Sequence, residues 1–278
     1  MIKYAYKSPT VARIESRNPQ NRMAHDRVTR MKTGMLLVGH GTRDEQGIAE
    51  FIETAGLVAE QLPDVAVEPG FLELAEPSIH RALQRLIERD VRDVTVVPLL
   101  LFAAGHAKQD IPNEVYKVAA RFPHVTIRQA EPLGCHENIL AASAERFRSV
   151  VPLGEINPAT DVALLMVSRG TSDLSAIAEV ERFVRLRREV TPVAFATTAY
   201  MAVAEPTVAT ELEAMASSPY GCVVVQPHLL FHGQLTSDLR EMVRKKQAEC
   251  PEKEWLLAAH LGACDLVAAA AVDRFWVA

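Results

Sequence analysis

Three residues in the first half of this 278-residue chain, His40, Glu73 and His106, have the types and setting for metal or acid–base chemistry. Each lies at or just beyond an apolar run that reads as a buried strand: MLLVGHG holds His40, VAVEPGFLEL holds Glu73, and VTVVPLLLF precedes His106. In an open parallel sheet, ligands bind beyond the carboxyl ends of the strands. Three separate connections would therefore bring two imidazoles and one carboxylate to one rim. Glycines flank both histidines, as Gly39-His40-Gly41 and Gly105-His106, so backbone can approach a bulky ligand and the rings stay uncovered. Neutral imidazole with carboxylate suits a borderline divalent ion such as Fe²⁺, Co²⁺, Ni²⁺ or Zn²⁺, and the same groups move protons. The plainer reading makes the histidines structural hydrogen-bonders and Glu73 a solvated charge. The residues alone leave both open.

The elements around these residues follow a regular order. After MLLVGHG, Ile48, Phe51, Ile52, Ala55, Val58, Ala59 and Leu62 recur at helical spacing and stop at Pro63. Pro77 then opens a second helix at its first position, with Ile79, Leu83, Leu86 and Ile87 on one face. Further helices are expected over 111–121 and 137–150, each after a short apolar run. Strand–helix thus repeats four times, and the continuous Val/Ile/Leu strands belong to a parallel sheet covered on both faces.

The second half repeats the first. LLVGHGTRD (36–44) pairs with LMVSRGTSD (165–173), and FLELAEPSI (71–79) with YMAVAEPTV (200–208). VVPLLLFAAGHAKQDI (96–111) pairs with VQPHLLFHGQLTSDL (225–239), and EPLGCHENILAASAERF (131–147) with AHLGACDLVAAAAVDRF (259–275). Four matches in one order at a near-constant offset mark an internal duplication. The expected fold is α/β: two similar lobes, each a mainly parallel four-stranded sheet with helices on both faces, meeting at a cleft. The first lobe covers 34–155 and the repeat lobe 156–278. At the positions of His40, Glu73 and His106 the second copy has Arg169, Ala202 and Gln234. Groups needed only for folding would be required twice, so the asymmetry implies one active site per chain.

Composition narrows the function classes. With 49% hydrophobic and 23% charged residues, the chain is of ordinary globular type, and no apolar stretch approaches the ~20 residues of a membrane span. Residues 1–33 carry eight Lys/Arg against two Asp/Glu, whereas the remainder carries 22 against 33. That acidic body is the wrong sign for gripping nucleic acid. The basic head reads as a poorly ordered extension; an organelle transit peptide is the alternative, weakened by Glu15 and Asp26. Four scattered cysteines without a CxxC pair point to reduced thiols in a cytoplasmic protein. GHGTRD lacks the third glycine of a dinucleotide loop, no phosphate-binding P-loop or G-x-S-x-G elbow occurs, and a histidine-phosphatase reading stays a minor alternative, weakened by Gly39 where an arginine is needed.

The strings VGHGTRD, FLELAEPSI, VVPLLLFAAGHAKQDIP and EPLGCHEN, in that order, resemble the class II tetrapyrrole chelatases, and within them the sirohydrochlorin chelatases that insert cobalt, ferrous iron or nickel. The resemblance covers about residues 34–275 and matches the longer, two-lobe members. It implies that His40 and His106 are metal ligands and proton acceptors assisted by Glu73. It also implies that the only ion needed is the substrate metal, Fe²⁺ or Co²⁺ with Ni²⁺ as the further option, and no iron–sulfur cluster is expected because the chain ends at RFWVA without a cysteine-bearing tail. Sirohydrochlorin carries eight carboxylates, so Arg43, Lys108, Arg169, His228 and His232 are expected to contact substrate. His228 and His232 sit near a strand end and are expected to diverge, His136 and His260 follow strand four of their copies, His80 and His124 read as structural, and Cys135 and Cys264 as small buried residues. Insertion is expected to fail in acid, where imidazoles titrate (about 6.5 when unperturbed). A carrier of tetrapyrrole or metal with the same fold, a nickel chelatase and a protoporphyrin ferrochelatase are the rival readings. The partners are sirohydrochlorin alone, with no nucleic acid and no membrane, in a monomer or homodimer.

Overall fold

The computed structural model describes residues 32–102, 109–152 and 156–278. Eight strands form two four-stranded, fully parallel sheets. The first sheet contains β1 (Lys32–Gly39), β2 (Ala66–Phe71), β3 (Val91–Pro98) and β4 (Thr126–Gln129) in the order β2-β1-β3-β4. The second repeats that order as β6-β5-β7-β8, with β5 (Val162–Ser168), β6 (Phe195–Tyr200), β7 (Cys222–Pro227) and β8 (Glu254–Leu257). The first-lobe helices are α1 (Glu45–Gln61), α2 (Ile79–Glu88), α3 (Ile111–Ala119) and α4 (Glu137–Arg148). After the short α5 (Pro158–Asp161), the second lobe has α6 (Leu174–Val190), α7 (Val208–Ala216), α8 (Gln234–Glu249) and α9 (Asp265–Trp276). The duplicated α/β architecture expected from the repeats is therefore what the chain adopts.

Strand periodicity sets the layering. Successive side chains point to opposite faces of a sheet. Met35 and Leu37 of β1 join Phe51 of α1 and Ile139 of α4 in one core, while Leu36 and Val38 join Ile79 of α2 and Ile111 of α3 in another. In the second lobe Leu164 and Met166 face the first of these cores, and Leu165 and Val167 face α7 and α8. The order through the molecule is α2/α3, sheet, a shared layer of α1, α4, α6 and α9, sheet, α7/α8. One continuous apolar core thus lies between the sheets, and residues 32–278 form one compact unit.

The lobes meet as the two halves of a two-fold dimer do, with the same patch used twice. Arg146 of α4 donates to the carbonyl of Leu261 at 2.6 and 3.1 Å, and its repeat mate Arg274 of α9 donates to the carbonyl of Leu133 at 3.0 Å.

Two details differ from the sequence reading. β1 takes in Lys32 and Thr33, assigned above to the extension, because Lys32 and Thr33 pair with Val91 and Asp93 of β3. Pro77 is not the first residue of α2. Ser78 is the N-cap, accepting from the Arg81 N–H, and the Pro77 carbonyl stays in the loop, where it accepts from the Phe71 N–H at 2.8 Å. The rest of the basic head, residues 1–31, lies outside the described residues.

Candidate active site

His40 and Glu73 are brought together by backbone before side chains act. β1 and β2 are parallel neighbours, so their carboxyl ends emerge side by side. Beyond the ladder, the Glu73 N–H donates to the His40 carbonyl at 3.0 Å. Gly41 makes this possible: it holds φ +98°, and a Cβ there would lie 1.7 Å from the Glu73 carbonyl oxygen. Leu74 follows at φ +64°, an uncommon conformation for a side-chain-bearing residue. The second lobe copies the whole device, with Ala202 N–H on the Arg169 carbonyl at 3.0 Å, Gly170 at φ +90° and Val203 at φ +68°. Only the first lobe loads it with chemical groups.

The imidazole of His40 is polarised by its neighbours. Nδ1 lies 3.1 Å from the Gly41 carbonyl, which can only accept, so Nδ1 carries the proton. Nε2 lies 3.4 Å from Glu73 Oε1. A ring nitrogen whose partner N–H is held by a carbonyl is the usual form of a metal-binding histidine. His106 and Lys108 lie outside the described residues. Among the described residues no group of three His, Cys, Asp or Glu is set to hold an ion, so His40 and Glu73 supply two of the three expected groups.

His40 opens onto a cleft between the lobes of about 510 Å³, with Glu73 beside it but outside the lining, within the ~300–1,000 Å³ of small-molecule sites. His40, Arg169, His228 and His232 line it, and Phe51, Phe71, Phe102, Phe231 and Tyr200, with leucines such as Leu99 and Leu230, make its walls largely apolar. Arg169 is exposed on the second-lobe rim, whereas Arg43 is exposed and lies outside the lining.

The remaining histidines separate. His232 sits on one flank, its Nδ1 3.0 Å from Asp44 Oδ1 and its backbone N–H donating to Glu50 Oε2 at 2.7 Å. His260 Nε2 approaches the same Glu50 oxygen at 2.9 Å. Gly47 permits this contact, since a Cβ there would lie 2.4 Å from the His232 carbonyl. The hydrogen bond from His232 holds the Asp44 carboxyl below its ordinary range. Burial raises Glu50, but the bonds from His232, Gln46 and His260 outweigh it and leave that carboxyl lowered. Residue patterns gave no signal for this four-residue junction, because its members are far apart in the chain. His228 diverges from His232 as expected and turns into the wall, packed at a tilt of 36° on Phe183 with centroids 4.0 Å apart. His136 is a helix cap, accepting from the Asn138 N–H at 3.2 Å. Cys135 and Cys264 are partly exposed rather than buried; Cys222 is the buried thiol.

Two parallel α/β lobes from a duplication, closing on a cleft with the His40–Glu73 corner in the first lobe, define a two-lobe α/β protein. The CbiX family model matches residues 34–150 and 163–276, and the chain belongs to that family. It is 31% identical over 229 residues to a sirohydrochlorin cobaltochelatase of Priestia megaterium, covering 82% of this chain and 74% of that protein. It is also 31% identical to a sirohydrochlorin ferrochelatase of the same organism, covering 82% and 84%. The solved structure of SirB from Bacillus subtilis with Fe³⁺ superposes with a TM-score of 0.76 at 28% identity, covering 88% of this chain and 94% of that one.

Proposed function

We propose that this protein inserts Fe²⁺ or Co²⁺ into sirohydrochlorin with release of two protons, on a route to siroheme or cobalamin. The carrying observation is His40 in the lining of the interlobe cleft, with its Nδ1 proton committed to the Gly41 carbonyl and Nε2 3.4 Å from Glu73 Oε1. Relatives named for cobalt and iron insertion into the same macrocycle support the substrate.

The chemistry has three requirements: a held, partly dehydrated ion, removal of two pyrrolic protons, and a ring presented face-on. His40 Nε2 and His106 hold the ion, and Glu73 orients His40 or takes a proton. Aromatic walls receive the macrocycle, and a ring bent off planarity in the cleft exposes its nitrogens. Arg169 meets substrate carboxylates at the rim, and Arg43, Lys108 and His232 are the further residues that contact substrate. The metal is substrate rather than resident cofactor, and no cluster is required. Two His and a carboxylate do not by themselves rank Fe²⁺, Co²⁺ and Ni²⁺ beyond the general affinity order. The lobes, 34–155 and 156–278, close the cleft within one chain, so a monomer suffices and a homodimer is not needed for the site. No helix among the described residues is long and apolar enough to cross a membrane. Four unpaired cysteines accord with a cytoplasmic setting.

The test is anaerobic mixing of protein, sirohydrochlorin and Fe²⁺, Co²⁺ or Ni²⁺ in parallel, followed by absorption. Insertion should outpace the spontaneous reaction with at least one ion and collapse in folded His40→Ala and His106→Ala. A protein that binds the ring without accelerating metallation is a carrier, and the chelatase reading is then wrong.

A further inference from the structure

His228 follows directly on β7, and its backbone N–H donates to the Val167 carbonyl at 2.7 Å. Its repeat mate Leu99 is fixed the same way, its N–H donating to the Val38 carbonyl at 2.7 Å. Both line the cleft and both are 2% exposed. The fold therefore accepts a purely apolar side chain at this place, and has one in the first lobe. The imidazole sits between Phe183 of its own lobe, 4.0 Å between centroids, and Phe102 of the first lobe, at 5.1 Å. Neither Nδ1 nor Nε2 has a hydrogen-bond partner.

Buried polar atoms in native proteins are nearly always paired, and an unpaired one is costly. Here two orphans occupy a position where leucine serves the fold equally well. Packing does not account for them, and a ligand that supplies partners does. A neutral imidazole offers one donor and one acceptor. Amid Phe102 and Phe183, a substrate carboxylate would have to leave water for a single neutral donor, which is unfavourable. The uncharged core of a metal-free tetrapyrrole loses little by the same transfer, and its pyrrolic N–H groups need acceptors.

We infer that His228 accepts a hydrogen bond from a pyrrolic N–H of the metal-free macrocycle, reaching it from the second lobe while His40 and Glu73 act from the first. The macrocycle enters where the Phe102 ring now lies and meets the imidazole edge-on, with a pyrrolic N–H in the imidazole plane where the nitrogen lone pair points. Insertion removes the N–H protons, so the bond exists with substrate and is absent with product. His228 thereby favours the unmetallated ring and helps release the metallated one. This rests on the chelatase reading above.

The experiment uses the full chain and the His228→Leu and His228→Gln variants, with thermal unfolding recorded alongside. Absorbance titrations measure affinity for sirohydrochlorin and, separately, for cobalt-sirohydrochlorin. We expect His228→Leu to bind the metal-free ring about tenfold more weakly, the effect of one hydrogen bond, and to bind the metallated ring as wild type does. It should unfold at the same or a higher temperature, and His228→Gln, which keeps an acceptor, should regain part of the lost affinity. Wild-type discrimination in His228→Leu, or equal weakening toward both rings, or a lowered unfolding temperature, overturns the role of His228 and leaves the chelatase reading standing. Failure of the wild-type chain to bind or metallate sirohydrochlorin overturns both.

Discussion

Gly41→Ala isolates what the backbone contributes to the site, because the duplication provides its own control. At Gly41 an added Cβ would lie 1.7 Å from the Glu73 carbonyl oxygen, and real Cβ contacts stay beyond 3.0 Å, so the two backbones must part by about 1.3 Å. The atom in the way is main chain and cannot rotate aside. Gly170→Ala creates the same conflict in the second lobe, 1.9 Å from the Ala202 carbonyl at φ +90°. Each substitution should cost about 2–4 kcal/mol of stability, from left-handed strain plus displaced loop. Only in the first lobe does the displaced loop carry a reacting group. A misplacement of about 1 Å can cost ~10²-fold in rate, so Gly41→Ala should lose about that factor in insertion. Gly170→Ala should stay within several-fold of wild type. The assay is metallation of sirohydrochlorin at a temperature where chemical denaturation shows both variants folded. Equal activity losses in the two, or wild-type activity in Gly41→Ala, would refute the idea that the hydrogen-bonded His40–Glu73 corner sets the chemistry.

Other expectations concern the junction of the lobes. Burial pushes the His228 imidazole down to about 3, whereas an unfolded chain's imidazole titrates near ~6.5. Between those values the unfolded state binds a proton that the native state does not, so stability falls on acidification from about pH 6.5; denaturation midpoints in His228→Leu should show a slope shallower by up to one proton. Asp44 and Glu50 are lowered carboxyls, so their contribution is present above the ordinary carboxylate range and lost as pH falls below it. Arg146→Ala and Arg274→Ala each remove a charged donor from a carbonyl of the opposite lobe and should cost about 1–3 kcal/mol in urea denaturation, the doubly bonded Arg146 more. Glu50→Ala strands the His232 N–H and the His260 ring together and should cost about as much; a value near zero would mean that the flank of the cleft is held by packing alone.

The linear sequence determined the repeat, the parallel strands and the His40–Glu73 corner. Each depends on local periodicity or on strand ends that topology makes adjacent: β1 and β2 are neighbours in a parallel sheet, and their carboxyl ends share a rim. The asymmetry between His40 and Arg169, or Glu73 and Ala202, was equally visible, because a duplication lays the two copies side by side. Tertiary structure alone decided what His228, His232 and His260 do. His232 meets Asp44 across 188 residues and His260 meets Glu50 across 210, and the His228 ring is buried by one phenylalanine from each lobe. Those contacts come from the rotation that packs one copy on the other, a relation between surfaces that no period within either copy encodes.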